Sequence, residues 1–177
     1  MIAREDVRGT ILSKTTWLAV GLFPIAFLGY VVAHDYIGEP TFPAFVGGLA
    51  SVVGVLLPAI AILVGYKSIV EDRTSGRLAL TLSLPHSRRD LAIGTFVGRA
   101  VVVLVPALLA LVVAGVVGAV RFGTEGMLWF PWFLVATAAF GAAFVGFAVG
   151  LSMSTTADRW ITLGSLGSYL LLVTFWV

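Results

Sequence analysis

The sequence predicts an all-α fold, a polytopic bundle of transmembrane helices with a cytoplasmic amino terminus. Composition is the first reason: 59% of the 177 residues are apolar and 11% are charged, with a mean hydropathy of +1.06, against about 25% charged residues in a soluble domain. A water-soluble fold of this size has too little interior for that much apolar surface. In a bilayer each helix satisfies its own backbone and turns its side chains to lipid. The second reason is that the apolar residues gather into runs of spanning length, and the third is that the basic residues fall almost wholly on one side of them.

Before the first run, Ala3, Val7 and Ile11 recur every four residues, with Arg4 and Arg8 beside them. Either a short helix lying on the membrane or an ordinary charged cap fits this pattern. It is not a signal peptide, because charges of both signs precede a long apolar run. Spans follow at 17–33, 44–66, 96–120 and 132–153, with a fifth at 160–177, each close to the roughly 20 residues that a crossing needs. Pro58 and Pro106 lie inside the second and third, where each removes a backbone donor and can kink the helix. The chain ends inside its fifth apolar run, at Phe175-Trp176-Val177, with no polar tail, so truncation at the carboxyl terminus is expected.

Arg4, Arg8, Lys14, Lys67, Arg73, Arg77, Arg88, Arg89, Arg99 and Arg159 fall on one side of these spans and Arg121 alone on the other. The rich side is cytoplasmic. The outer loops hold Asp35, Glu39 and Glu125 with Pro40, Pro43 and Pro131, and the long segment 67–95 is cytoplasmic. Trp17, Trp129, Trp132 and Trp160 stand at span ends, where an amphipathic ring suits the headgroup level.

Several function classes lose support. A net charge of +2 without an arginine-rich tract argues against nucleic acid. The absence of cysteine removes disulfides, thiolate metal sites and a cysteine nucleophile. No ionisable residue stands near the middle of a span, which weakens ion-coupled transport, and Ser51, Thr137, Ser165, Ser168 and Tyr169 suit structural hydrogen bonds better than chemistry. Both histidines, His34 and His86, are placed in loops, and His34 beside Asp35 is at most a weak surface metal site. No Ser/His pair, HExxH or GxxxxGK[ST] pattern occurs, so no catalytic, metal or cofactor site is assigned. Ala138, Ala142, Gly146, Gly150 and Ser154 repeat every four residues on the fourth span and predict a close helix-packing face, with Gly94 and Gly98 as a weaker instance.

The most specific pattern lies in the cytoplasmic segment, where Glu71, Asp72 and Arg73 precede Gly76 and Leu78, and Leu82, Ser83, Pro85, Ser87 and Arg88 follow, with Arg89 next. These residues resemble the Glu-x-x-x-x-Gly-x-Leu and Leu-Ser-x-Pro-x-Ser-Arg loop of the exporter-type (type 2) permease subunits of ABC transporters, including relatives that serve nitrous oxide reductase and copper maturation. The resemblance extends over residues 1–177 as one permease domain. Six spans are expected of the family and about five are seen, which makes the chain either a fragment or a shortened member that needs another subunit. The resemblance implies a transmembrane subunit that couples a partner's ATP hydrolysis to substrate movement. It implies an ABC ATPase partner, a second permease copy or homologue, and ATP bound only through the partner. Segment 67–95 would then be the coupling loop, with Glu71, Asp72, Arg73, Gly76, Pro85, Arg88 and Arg89 as its contacts. The competing expectation is a membrane anchor or assembly subunit that recruits a partner without moving a substrate.

Overall fold

In the computed structural model the described residues are 14–74, 88–154 and 167, and side-chain surroundings are described within 21–64 and 93–150. They form four long helices: α1 (Lys14–Ile37), α2 (Phe42–Thr74), α3 (Arg88–Phe122) and α4 (Phe130–Ser154), with a 3-10 turn at Met127–Trp129 before α4. Among the described residues there is no strand. The amino-terminal segment, Gly76, Pro85, His86 and the expected fifth span lie outside them.

Within residues 21–64 and 93–150, the apolar stretches long enough to cross a membrane are Phe42–Val64, Ile93–Phe122 and Met127–Gly150, and Gly21–Ile37 is a shorter apolar stretch. Within the stretch read from sequence as a loop over 67–95, both ends are helical, α2 to Thr74 and α3 from Arg88. The helices continue there because no Pro or Gly intervenes in 67–74 or 88–93. Pro58 and Pro106 sit within helices that continue past them, and Pro24 does the same in α1. Pro58 is fully buried.

Local chemistry sets the two short connections at the outer end. The Gly38 N–H donates to the His34 carbonyl at 3.0 Å, and a Cβ on Gly38 would stand 2.1 Å from the His34 ring, so only glycine passes at the end of α1. Thr41 then opens α2, its Oγ1 accepting from the Ala44 N–H at 3.4 Å and its carbonyl from the Phe45 N–H at 3.0 Å. Pro43 and Pro131 occupy the first turns of α2 and α4, where no intrahelical donor is needed. Gly123 and Gly126 supply the positive φ values, +90° and +76°, that turn α3 into the 3-10 turn.

α2 and α3 pack together, and α1 and α4 each pack on both of them from opposite sides. The interior is built from Phe23, Phe27 and Val31 of α1, Leu49, Val53 and Leu57 of α2, Val103, Ala107 and Leu111 of α3, and Val145 of α4. Ile25, Val55, Leu109, Val113 and Phe147 point outward, as lipid-facing residues do. Since lipid is as apolar as this interior, close van der Waals packing is what holds the helices together.

One sequence expectation is corrected here. His34 is not in a loop: it is the last buried residue of α1, 4% exposed. The buried series Phe23, Phe27, Val31, His34 follows a helical face, and that periodicity carries α1 past Ala33 to Ile37.

Candidate functional site

The candidate coupling segment begins at Lys67, where the apolar run of α2 ends. From Lys67 to Thr74 the helix continues for eight residues, about 12 Å at 1.5 Å per residue. Glu71, Asp72 and Arg73 therefore stand in its last turn. Across residues 75–87, Arg88 and Arg89 stand in the first described turn of α3, just before the apolar run that begins at Leu91. The motif thus divides between the ends of two helices that pack on each other inside the bilayer.

On α4 the predicted small-residue face lies at the flank of the packed surface. Ala138, Ala142 and Gly146 are half-buried and Gly150 is exposed, while Ser154 closes the helix. A Cβ on Gly146 would meet Phe96 of α3 at 3.4 Å, an ordinary contact. The close approach falls instead at Gly141, where a Cβ would stand 2.5 Å from Leu104 of α3 and 2.8 Å from Leu57 of α2. The sequence reading missed Gly141 because it stands outside the four-residue repeat.

Arg99, counted from sequence among the cytoplasmic charges, is buried in the bundle. It is 1% exposed and lies within the apolar window of α3, one turn beyond the buried Thr95. Among the described residues Thr137 is a further buried polar side chain, whereas Ser51 faces outward. Trp129 and Trp132 are exposed at the outer end.

The outer end holds a second constellation that sequence reading did not assemble. His34 Nε2 lies 2.9 Å from the Glu39 carbonyl, which can only accept, so Nε2 carries the proton. Nδ1 lies 3.1 Å from the Tyr30 hydroxyl, its second hydrogen-bond partner. The ring packs edge-on against Phe122 of α3, with centroids 4.9 Å apart, and against Phe45 of α2 at 5.5 Å. Asp35, the neighbour of His34, pairs with Arg121 at the end of α3. Both ring nitrogens and the adjacent carboxylate are thus engaged within the protein. A signal for this cluster was present in the i, i+4 spacing of Tyr30 and His34, but its partners on α2 and α3 were not readable.

A family model described as ABC-2 family transporter protein matches residues 1–177. The chain is 35% identical over 141 residues to the probable ABC transporter permease protein NosY of Stutzerimonas stutzeri, an alignment that covers 76% of this chain and 49% of that protein. It is 29% identical over 112 residues to the protein of the same name from Pseudomonas aeruginosa, covering 61% of this chain and 41% of the relative. The chain spans about half the length of these curated relatives. With apolar helices long enough to cross a membrane several times and a family match over its whole length, the chain belongs to the ABC-2 family of transporter proteins.

Proposed function

We propose that the chain is the permease part of an ATP-driven transporter, in which a cytoplasmic ATPase engages the ends of α2 and α3 and drives substrate movement across the membrane. A second permease copy or homologue completes the path, and ATP is bound by the partner. One observation carries this reading: Glu71, Asp72, Arg73, Arg88 and Arg89 stand on α2 and α3 themselves, helical continuations of two spans that pack on each other. A push on Glu71, Asp72, Arg73, Gly76, Pro85, Arg88 or Arg89 is delivered to the two central helices, on which α1 and α4 both pack. The mixed charges of the motif suit the same reading, because charged rims of this kind set the register and choice of a docking partner.

The test is the double charge reversal Glu71→Arg with Arg88→Glu in the assembled complex reconstituted into liposomes. ATPase activity should persist while its coupling to transport falls at least tenfold. Unchanged coupling overturns the assignment of this surface. Partner recruitment with no transport by the parent protein would instead point to a membrane anchor or assembly subunit.

A further inference from the structure

Arg99 puts a charge on a face that is otherwise packed with apolar side chains. It stands on α3 between the buried Thr95 and Val103 and is itself 1% exposed, and a guanidinium keeps its proton in a protein. A charge held this deep is kept by a counter-charge or by carbonyl oxygens, and Arg99 is engaged within the chain. The carboxylates among the described side chains are badly placed for it. Asp35, Glu39 and Glu125 all lie at the outer end, beside the aromatic layer that His34 of α1, Phe45 of α2 and Phe122 of α3 form there. Asp35 pairs in that place with Arg121, about 33 Å along α3 from Arg99.

Register separates the remaining carboxylates. α1 and α3 run in the same direction and pack on each other, with His34 against Phe122. Counting back along both helices brings Lys14, where α1 begins, level with Val102, one turn from Arg99. The amino-terminal segment, which carries Glu5 and Asp6, therefore joins the bundle at the depth of Arg99. On α2, a Cβ on Gly118 would meet the Phe45 ring, and one on Gly141 would meet both Leu57 and Leu104; this puts Arg99 level with Val64 and leaves Glu71 and Asp72 two turns beyond it, about 11 Å. Asp90 is about 13 Å back along α3 itself, and Asp158 follows by a dozen residues Gly146, whose level Phe96 marks. Helix side chains lean toward the amino terminus, which carries Arg99 toward the inner end. We propose that the acidic pair Glu5-Asp6 supplies the counter-charge of Arg99, so that the amino-terminal segment docks on α3 at the inner end of the bundle. This docking ties the chain's entry into the membrane to the helix that starts with Arg88 and Arg89. It does not depend on the permease reading, since a membrane anchor needs the same counter-charge.

The test is charge exchange, read as the thermal unfolding midpoint of the full chain in mild detergent. Arg99→Glu should lower the midpoint by about 5–10 °C, and the double change E5Q/D6N should do the same, the range for breaking a buried pair. Adding Glu5→Arg or Asp6→Arg to R99E should recover at least half of the loss, while E71Q/D72N, D90N and D158N leave the parent midpoint in place. Because R99E can lower the yield of folded protein, a second measurement keeps Arg99 and both carboxylates. The chain has no cysteine, so Ala3→Cys with Thr95→Cys reports proximity without background: a short bifunctional maleimide should join A3C to T95C within one chain, and not to I93C on the exposed side of α3. An unchanged midpoint in E5Q/D6N, or no A3C–T95C product, overturns the proposal. Rescue of R99E by reversal at Glu71 or Asp72 also overturns it and gives Arg99 to the coupling motif, and a midpoint that responds to Arg99 but to no carboxylate overturns it in favour of carbonyl oxygens. Neither readout involves ATP or transport, so this proposal and the permease reading fail separately.

Discussion

His34 and the glycines around the rings show how much single positions carry. Replacing His34 with Ala removes both ring hydrogen bonds and leaves the Tyr30 hydroxyl and the Glu39 carbonyl without their protein partner; the expected loss is about 1–3 kcal/mol, read as a lower unfolding midpoint in mild detergent. Gly118→Ala drives a methyl into the Phe45 ring and should cost a similar amount through overpacking, about 1–3 kcal/mol. Gly47→Ala, which meets nothing within 4 Å, should leave the midpoint unchanged; equal midpoints for G118A and G47A would contradict the packing described. These roles were not legible in the sequence. A glycine's need for its missing Cβ depends on which ring reaches it, and Phe45 and Gly118 are brought together only by the fold. His34 was misplaced for a simpler reason: beside Asp35 it reads as a polar boundary, although its spacing from Phe27 and Val31 continues the buried face of the helix.

At the scale of the helices, apolar runs read directly as spans because lipid imposes a minimum length and every backbone group must be paired. The spans at 44–66, 96–120 and 132–153 all fall inside helices of the structure. Hydropathy loses the helices where they leave the bilayer, since the charged residues 67–74 are as compatible with helix as with loop. That continuation carries the proposed coupling residues, and it gives a prediction of its own. Val70→Pro, placed in α2 beyond Lys67, removes an interior hydrogen bond and costs about 3 kcal/mol locally. The spans should still insert, as judged by protease protection of the outer loops, while coupling to the ATPase is lost. Retained coupling would show that a rigid α2 extension is not what transmits the push. Gly141→Leu belongs to this scale as well: it should drive α4 off α2 and α3 and lower the yield of folded protein, whereas Gly150→Leu on the exposed side should not.

For the whole molecule, two ends of different chemistry follow from one topology. Helices that enter and leave the bilayer in alternation bring the charged motif of α2 and α3 to one side and the aromatic layer to the other. The distribution of basic residues assigns the charged side to the cytoplasm by the positive-inside rule, and the motif from Glu71 to Arg88 made the family legible. Which helices touch was beyond the sequence, because an apolar face turned to lipid and one turned to a neighbouring helix have the same composition. The central claim is that this membrane domain works with an ATPase that docks at the ends of α2 and α3. It is tested most directly by purifying the tagged protein from its native membrane in mild detergent and identifying what accompanies it by mass spectrometry. The account predicts a stoichiometric subunit with a phosphate-binding loop, lost when Glu71 and Arg88 are reversed in charge. No such subunit, under conditions that preserve other membrane complexes, would contradict it.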